Sequence, residues 1–338
     1  MRHEPETGIL GIVFLGMAIW ACAVRGADIQ LLNVSYDPTR ELYAAYNARF
    51  IEYYRGLSGR TVKIAQSHGG SGKQARSVIE GLRADIVTLA LAYDVQAIAN
   101  HHLIAPDWET RLPHEAAPYT STIIFLVRRG NPKQVRDWPD LTRPGVKVIT
   151  PNPKTSGGAR WNFLAAWGYV TIGQGGSAAA AREFVTRLYR NVPVLDAGAR
   201  GATTTFVQKE IGDVFICWEN EAELALREYG TNRLAAVYPS ISILAQPCVA
   251  VVDRNVDRRG AVVRAAAEAY LRHLYSDGVQ ELIAQHGYRP ANRAVLEKYR
   301  SRYPAISMFT VKQVAGSWAE AQPRFFGEEG VFDRIYRR

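Results

Sequence analysis

Apolar positions along the chain follow two alternating rhythms. Short runs rich in β-branched residues give way to segments whose apolar residues recur every three to four positions. "IQLLNVSY" from Ile29 predicts a strand, and Pro38 to about Leu57 a helix. "TVKIAQS" predicts a strand and Ser71 to Leu82 a helix, then "ADIVTLALA" a strand and Asp94 to Asn100 a short helix. After a proline-marked loop, "TSTIIFLVRRG" reads as a long strand closed by the turn Gly130-Asn131-Pro132. The strand "VKVIT", a helix from Gly157, a Gly/Ala/Ser-rich turn and a helix through Arg190 follow. Then come the strand "VPVLD", a glycine loop, a helix to Glu210, the strand "DVFICW" and a helix from Glu219. A second long strand, "SILAQPCVAVVD", precedes helices that fill the C-terminal part. Strands alternating with helices imply α/β layers with mostly parallel sheets. No internal repeat or low-complexity linker interrupts them.

One segment breaks the alternation. "GILGIVFLGMAIW", Gly8 to Trp20, is an uncharged apolar run behind Arg2, short for a membrane span and shaped like a secretory signal. Cleavage after Ala23 or Gly26, a lipid-anchored Cys22, and an uncleaved anchor are three ways such a leader ends. All three imply export. The oxidising compartment this implies leaves Cys217 and Cys248, each in a strand-like run, where a small buried hydrophobe is the expected role. No cysteine–histidine spacing suggests a metal, and adjacent His101 and His102 read as a surface loop.

Length and charge add bounds. At 338 residues the chain suits about two domains, and 47% hydrophobic with 22% charged residues fits a sizeable core. The formal charge of +9 is spread singly, with no arginine strip interleaved with aromatics, so nucleic acid is not an expected partner.

Candidate chemistry gathers where strands end and helices begin, the edge at which open α/β sheets bind ligands. In "SYDPTREL" Asp37 is placed to cap a helix with Pro38 in its first turn. In "SHGGSGKQ" Ser71 and Gln74 have the spacing of a capping box. In "KTSGGARW" Ser156 precedes helical amides belonging to Gly157 and Gly158. In "LDAGARGATTTF" Ala199 sits between glycines ahead of another helix. Such loops present unpaired N–H donors backed by a partial positive charge, and glycine lets an anion reach them. One alone is ordinary capping; four point to a small anion.

Enzyme readings fit poorly. A phosphate loop needs glycine where Ser67 stands and Ser or Thr where Gln74 stands, and a nucleophile elbow needs glycine at Lys73. A secreted enzyme acting on oxyanions or phosphate esters is therefore the weaker alternative.

The segments "LLNVSYDPTRELY", "QSHGGSGKQ", "DIVTLALAYD", "SGGARWN" and "WENEA" together resemble the bacterial periplasmic sulfate-binding protein family, from about Asp28 to the C-terminus. The thiosulfate-binding receptors are similar at these same segments. The resemblance implies a two-lobed type II periplasmic binding protein fold, with the ligand cleft between lobes joined by crossing strands. It implies a signal over 1–26, a first lobe from 27–120 and 247–338, and a second lobe over 121–246. It implies a periplasmic monomer without cofactor that passes sulfate or thiosulfate to a membrane ABC permease. The ligand contacts it implies are the backbone amides of Ser71, Gly157, Gly158 and Ala199, the Ser156 side chain, and the Trp218 indole. Asp37, Asp94 and Arg200 would support them, and Trp108, Trp161 and Trp167 are expected in the core.

Overall fold

The computed structural model describes residues 28–336; the apolar run Gly8 to Trp20, Cys22 and the expected signal over 1–26 lie outside them. Two sheets organise the chain. The first has strand order β2-β1-β3-β9, with β1 Ile29–Tyr36, β2 Val62–Gly69, β3 Ile86–Leu89 and β9 Cys248–Val251. β1 pairs in parallel with β2 and β3, and β9 closes that edge antiparallel to β3. The near-continuous apolar runs have a simple cause: helices cover both faces. Ile29, Leu31, Ile86 and Val249 pack with Phe50, Tyr270 and Ile283 on one side. Val34, Val87, Leu89 and Ala250 pack with Val78, Val95 and Trp108 on the other.

The second sheet has order β11-β8-β4-β6-β5, where β4 is Tyr119–Arg128, β5 Val148–Ile149, β6 Val214–Trp218, β8 Ile241–Ala245 and β11 Ser307–Phe309. β7, Leu234–Val237, and β10, Arg289–Pro290, also pair with β4. The expectation of mostly parallel sheets fails here, because β4 runs antiparallel to β6, β7, β8 and β10. Strand alternation again sorts side chains to two cores. Ile123, Phe125, Ile216 and Trp218 face the cluster holding Trp161 and Trp167, while Ile124, Leu126, Phe215 and Cys217 face Phe206. Trp108, Trp161 and Trp167 are core residues, as expected.

β4 begins in the first lobe, with Tyr119 packed among its core residues, and continues into the second, where Ile123 to Val127 pair with β6. "SILAQPCVAVVD" is two strands. β8 belongs to the second sheet and β9 to the first, parted at Gln246-Pro247, where proline has no N–H for a ladder. "VPVLD" forms no strand: Asn191 and Asp196 accept bonds from Val148 and Asn152, but Pro193 between them has no N–H to give a ladder. A third crossing went unforeseen. Past Tyr303, β11 pairs with β8, and Phe309, Phe325 and Phe332 join the second lobe's core. The segment expected as 247–338 is therefore shared between the lobes.

Candidate functional site

Three of the four strand-to-helix junctions behave locally as donor loops. The helix Ser71–Ile79 follows β2, the helix Gly157–Gly168 follows β5, and the short helix Ala199–Thr203 follows the irregular 192–198 segment. Their first backbone acceptor bonds come from Gln74, Arg160 and Ala202. The N–H groups of Ser71, Gly157, Gly158 and Ala199 precede these and lack intrahelical partners. Ser71, Ser156, Gly157, Gly158 and Ala199 wall one small cavity between the lobes, together with Tyr36, Asp37, Pro38, Gly69 and Gly70.

Two capping expectations are corrected. Asp37 is the first residue of a 3-10 turn, Asp37–Thr39, and its carboxylate caps nothing, although Pro38 does stand in that first turn. The Ser71 hydroxyl is not a cap either. It donates to the Asp94 carboxylate and accepts the Ala90 N–H at 3.0 Å, while Gln74 turns back to the Ser67 carbonyl at 2.7 Å. A charged partner outbids a local backbone amide. Ser156 does cap its helix, accepting the Ala159 N–H at 3.3 Å, which leaves its own proton to donate elsewhere.

Glycine is required here by contact between the lobes. A Cβ on Gly157 would stand 2.8 Å from the Ser71 Cβ and 2.9 Å from that of Ala90, and one on Gly70 would stand 2.5 Å from the Thr155 carbonyl oxygen. Trp218 lies beside the cavity. It is 2% exposed, and its indole N–H reaches only the Gly158 carbonyl, at a long 3.4 Å. A buried indole donor so weakly held is free to serve a better acceptor.

Two ion pairs, one buried and one half-buried, tie the lobes around this point. Asp94 accepts from Arg160 at 2.9 Å, with both side chains almost wholly buried, and Arg160 also donates to the Pro153 carbonyl. Arg200 meets Glu41 at 2.6 Å. Trp161 donates across to the Ala90 carbonyl at 2.8 Å. The sequence pattern did not single out Arg160 or Glu41. An arginine inside the wholly buried helix "GGARWNFLAAWG" was the available signal, since a buried guanidinium demands a carboxylate. Burial raises the Asp37 carboxyl against the pull of Arg40, Arg200 and Lys73, and burial followed by Arg40 lowers His68 to about 4. No lysine or arginine side chain walls the cavity.

A larger groove of about 1000 Å³ lies between the helix Ala92–Asn100 and residues 310–327, but carboxylates Glu109 and Glu115 line it and none of the three donor loops does. Cys217 and Cys248 are buried free thiols, both pushed up by burial. Among the described residues no cluster of metal-ligating side chains occurs.

Two α/β lobes meeting over a cavity edged by helix amides define a class: the two-lobed solute-binding receptors. The chain belongs to the bacterial extracellular solute-binding protein family, whose model matches residues 31–289. It is a binding protein, not an enzyme. It is 55% identical to the sulfate-binding protein of Escherichia coli (strain K12) over 97% of this chain and 98% of that one. It is 50% identical to the thiosulfate-binding protein of Pseudomonas aeruginosa, covering 90% and 92% respectively. Among solved structures it resembles the sulfate-binding protein SubI from Mycobacterium tuberculosis H37Rv, with a TM-score of 0.79 and 31% identity over 88% of this chain and 99% of that one. The ferric binding protein of Campylobacter jejuni shares the fold alone, at 13% identity and a TM-score of 0.63 over 91% of this chain and all of that one.

Proposed function

We propose that this chain is a periplasmic receptor that captures sulfate between its lobes and passes it to a membrane ABC permease. The observation that carries the reading is the meeting of three donor loops at one small cavity between the lobes. Sulfate offers only acceptors, and the amides of Ser71, Gly157, Gly158 and Ala199 offer only donors. The Ser156 hydroxyl completes them, with its proton left over from capping. The Trp218 indole exchanges a long bond to Gly158 for a shorter one to the anion. Asp37, Asp94 and Arg200 act at one remove: Asp94 holds Ser71 and Arg160, and Arg200 holds Glu41 across the cleft. Thiosulfate is the second candidate ligand, because a 50% identical relative is named for it. Calorimetric titration with sulfate and thiosulfate in turn tests both, and no heat with either overturns the receptor reading.

Trp218→Phe is expected to weaken sulfate binding on the order of tenfold, since a hydrogen bond to a charged partner contributes about 1.5–3 kcal/mol. An unchanged Kd would assign Trp218 to the core only. The exported form is expected to begin between Ala23 and Asp28. Intact mass of the periplasmic protein checks this, and a retained Met1 or an acylated Cys22 would contradict a freely soluble receptor.

A further inference from the structure

Glu221 lies in the helix Glu219–Tyr229 that follows β6, three residues past Trp218, and is 2% exposed. We propose that Glu221 is a neutral carboxylic acid that donates a hydrogen bond to Thr203, and so acts as a positioning residue for the Ala199 turn of the anion cleft. The inference deepens the sulfate reading and rests on it.

The argument is a count of protons. Thr203 Oγ1 lies 3.1 Å from the Ala199 carbonyl oxygen and 2.8 Å from Glu221 Oε2. A hydroxyl has one proton to give. With Glu221 ionised, both neighbours are pure acceptors, and one of the two contacts is oxygen against oxygen with no hydrogen between. With a proton on Oε2 the chain closes: Glu221 donates to Thr203, and Thr203 donates to Ala199. The other carboxyl oxygen, Oε1, is buried without a partner. That is costly for a carboxylate and far less so for the carbonyl of a neutral acid.

The surroundings agree. Arg200 is the cation that pulls most on Glu221, and it divides its charge between Glu221 and Glu41, to which it is directly bonded. Glu41 and Asp37 face Glu221 with negative charge. The Tyr36 and Tyr288 phenols approach from the first lobe, and the Cys217 thiol from β6. Burial is the largest influence on the Glu221 carboxyl, and it raises its pKa. A neutral Glu221 also keeps a further negative charge away from a cleft meant for a dianion, and fixes the carbonyl at the head of the helix whose first amide the anion meets. The motif "WENEA" hides this role, because acids in a helix's first turn usually just complement the dipole.

Infrared difference spectroscopy of the wild type against Glu221→Gln, at neutral pH with and without sulfate, tests the assignment. A protonated-carboxyl carbonyl band is expected in the wild type and absent from the variant. Glu221→Gln should keep its sulfate affinity within about twofold, since its amide still donates to Thr203, whereas Glu221→Leu should lose about two- to tenfold. No band in the wild type, or a Gln variant as weak as the Leu variant, overturns the proposal. The two readings separate cleanly. A wild type that shows the band but takes up neither sulfate nor thiosulfate keeps the proton on Glu221 and removes the anion role. One that binds sulfate without the band does the reverse.

Discussion

Gly157→Ala is expected to weaken sulfate binding roughly ten- to hundredfold while leaving the thermal stability of the anion-free protein near that of wild type. The added methyl would stand 2.8 Å from the Ser71 Cβ and 2.9 Å from both the Ala90 Cβ and the Leu91 Cδ2. Gly157 belongs to the second lobe, and all three neighbours belong to the first. The overlap therefore exists only when the lobes are apposed over the cavity. Overpacking of this kind costs about 1–3 kcal/mol, and each 1.4 kcal/mol is about tenfold in affinity. A hinge that opens relieves the overlap, so the cost falls on the closed, anion-holding state. Gly56→Ala is the matched control, because a Cβ there meets nothing within 4 Å. Calorimetric titration and thermal unfolding of both variants check the expectation. Equal affinity for Gly157→Ala and wild type would mean that the cleft does not need this close approach.

What was legible in the sequence, and what was not, follows from the range of each interaction. Strands buried on both faces announced themselves as unbroken apolar runs, and the glycine-bearing junctions as breaks between run and helix. The β11 strand gave no such notice. It has three residues, and Ser307 and Met308 are exposed, so neither period nor hydrophobicity marked it. The broken run at Gln246-Pro247 looked continuous because the residues on either side are equally apolar, although they enter different sheets. At the site, local grammar misled wherever a distant charge competed. Ser71 and Gln74 have capping-box spacing, yet the Ser71 hydroxyl belongs to Asp94, 23 residues away. Asp94 in turn belongs to Arg160, 66 residues further on. Pairings at that separation are set by how two lobes meet, which no window of sequence contains. The anion chemistry was readable because backbone amides at helix starts depend on the nearest four residues alone.

Discrimination against phosphate should be the largest effect of all, on the order of a hundredfold or more in favour of sulfate. At neutral pH sulfate carries no proton, whereas phosphate keeps at least one and needs an acceptor for it. The proposed contacts are four backbone amides, a serine that caps through one lone pair and turns its proton to the anion, and an indole, so each meets the ligand as a donor. A phosphate proton would face donors or remain unpaired, a penalty of roughly 1–3 kcal/mol that grows in a dry, charged site. The side chains nearby that titrate do not restore an acceptor. Burial and Arg40 hold His68 down to about 4, so it is neutral above mildly acid pH, and its Nδ1 is already engaged by Ser35 at 2.8 Å. Sulfate affinity should accordingly stay flat from mildly acid to mildly alkaline conditions, with phosphate failing to compete anywhere in that range. Asp37 is the one carboxylate that walls the cavity, and burial raises its pKa. If Asp37 reached the anion, its charged form would accept the phosphate proton, and phosphate would compete better as pH rises through the Asp37 pKa. Competition of phosphate against labelled sulfate across pH decides between these outcomes. Asp37→Ala separates them further: the donor-only cleft predicts unchanged rejection of phosphate, and an Asp37 acceptor predicts that phosphate binding is lost with the side-chain oxygens.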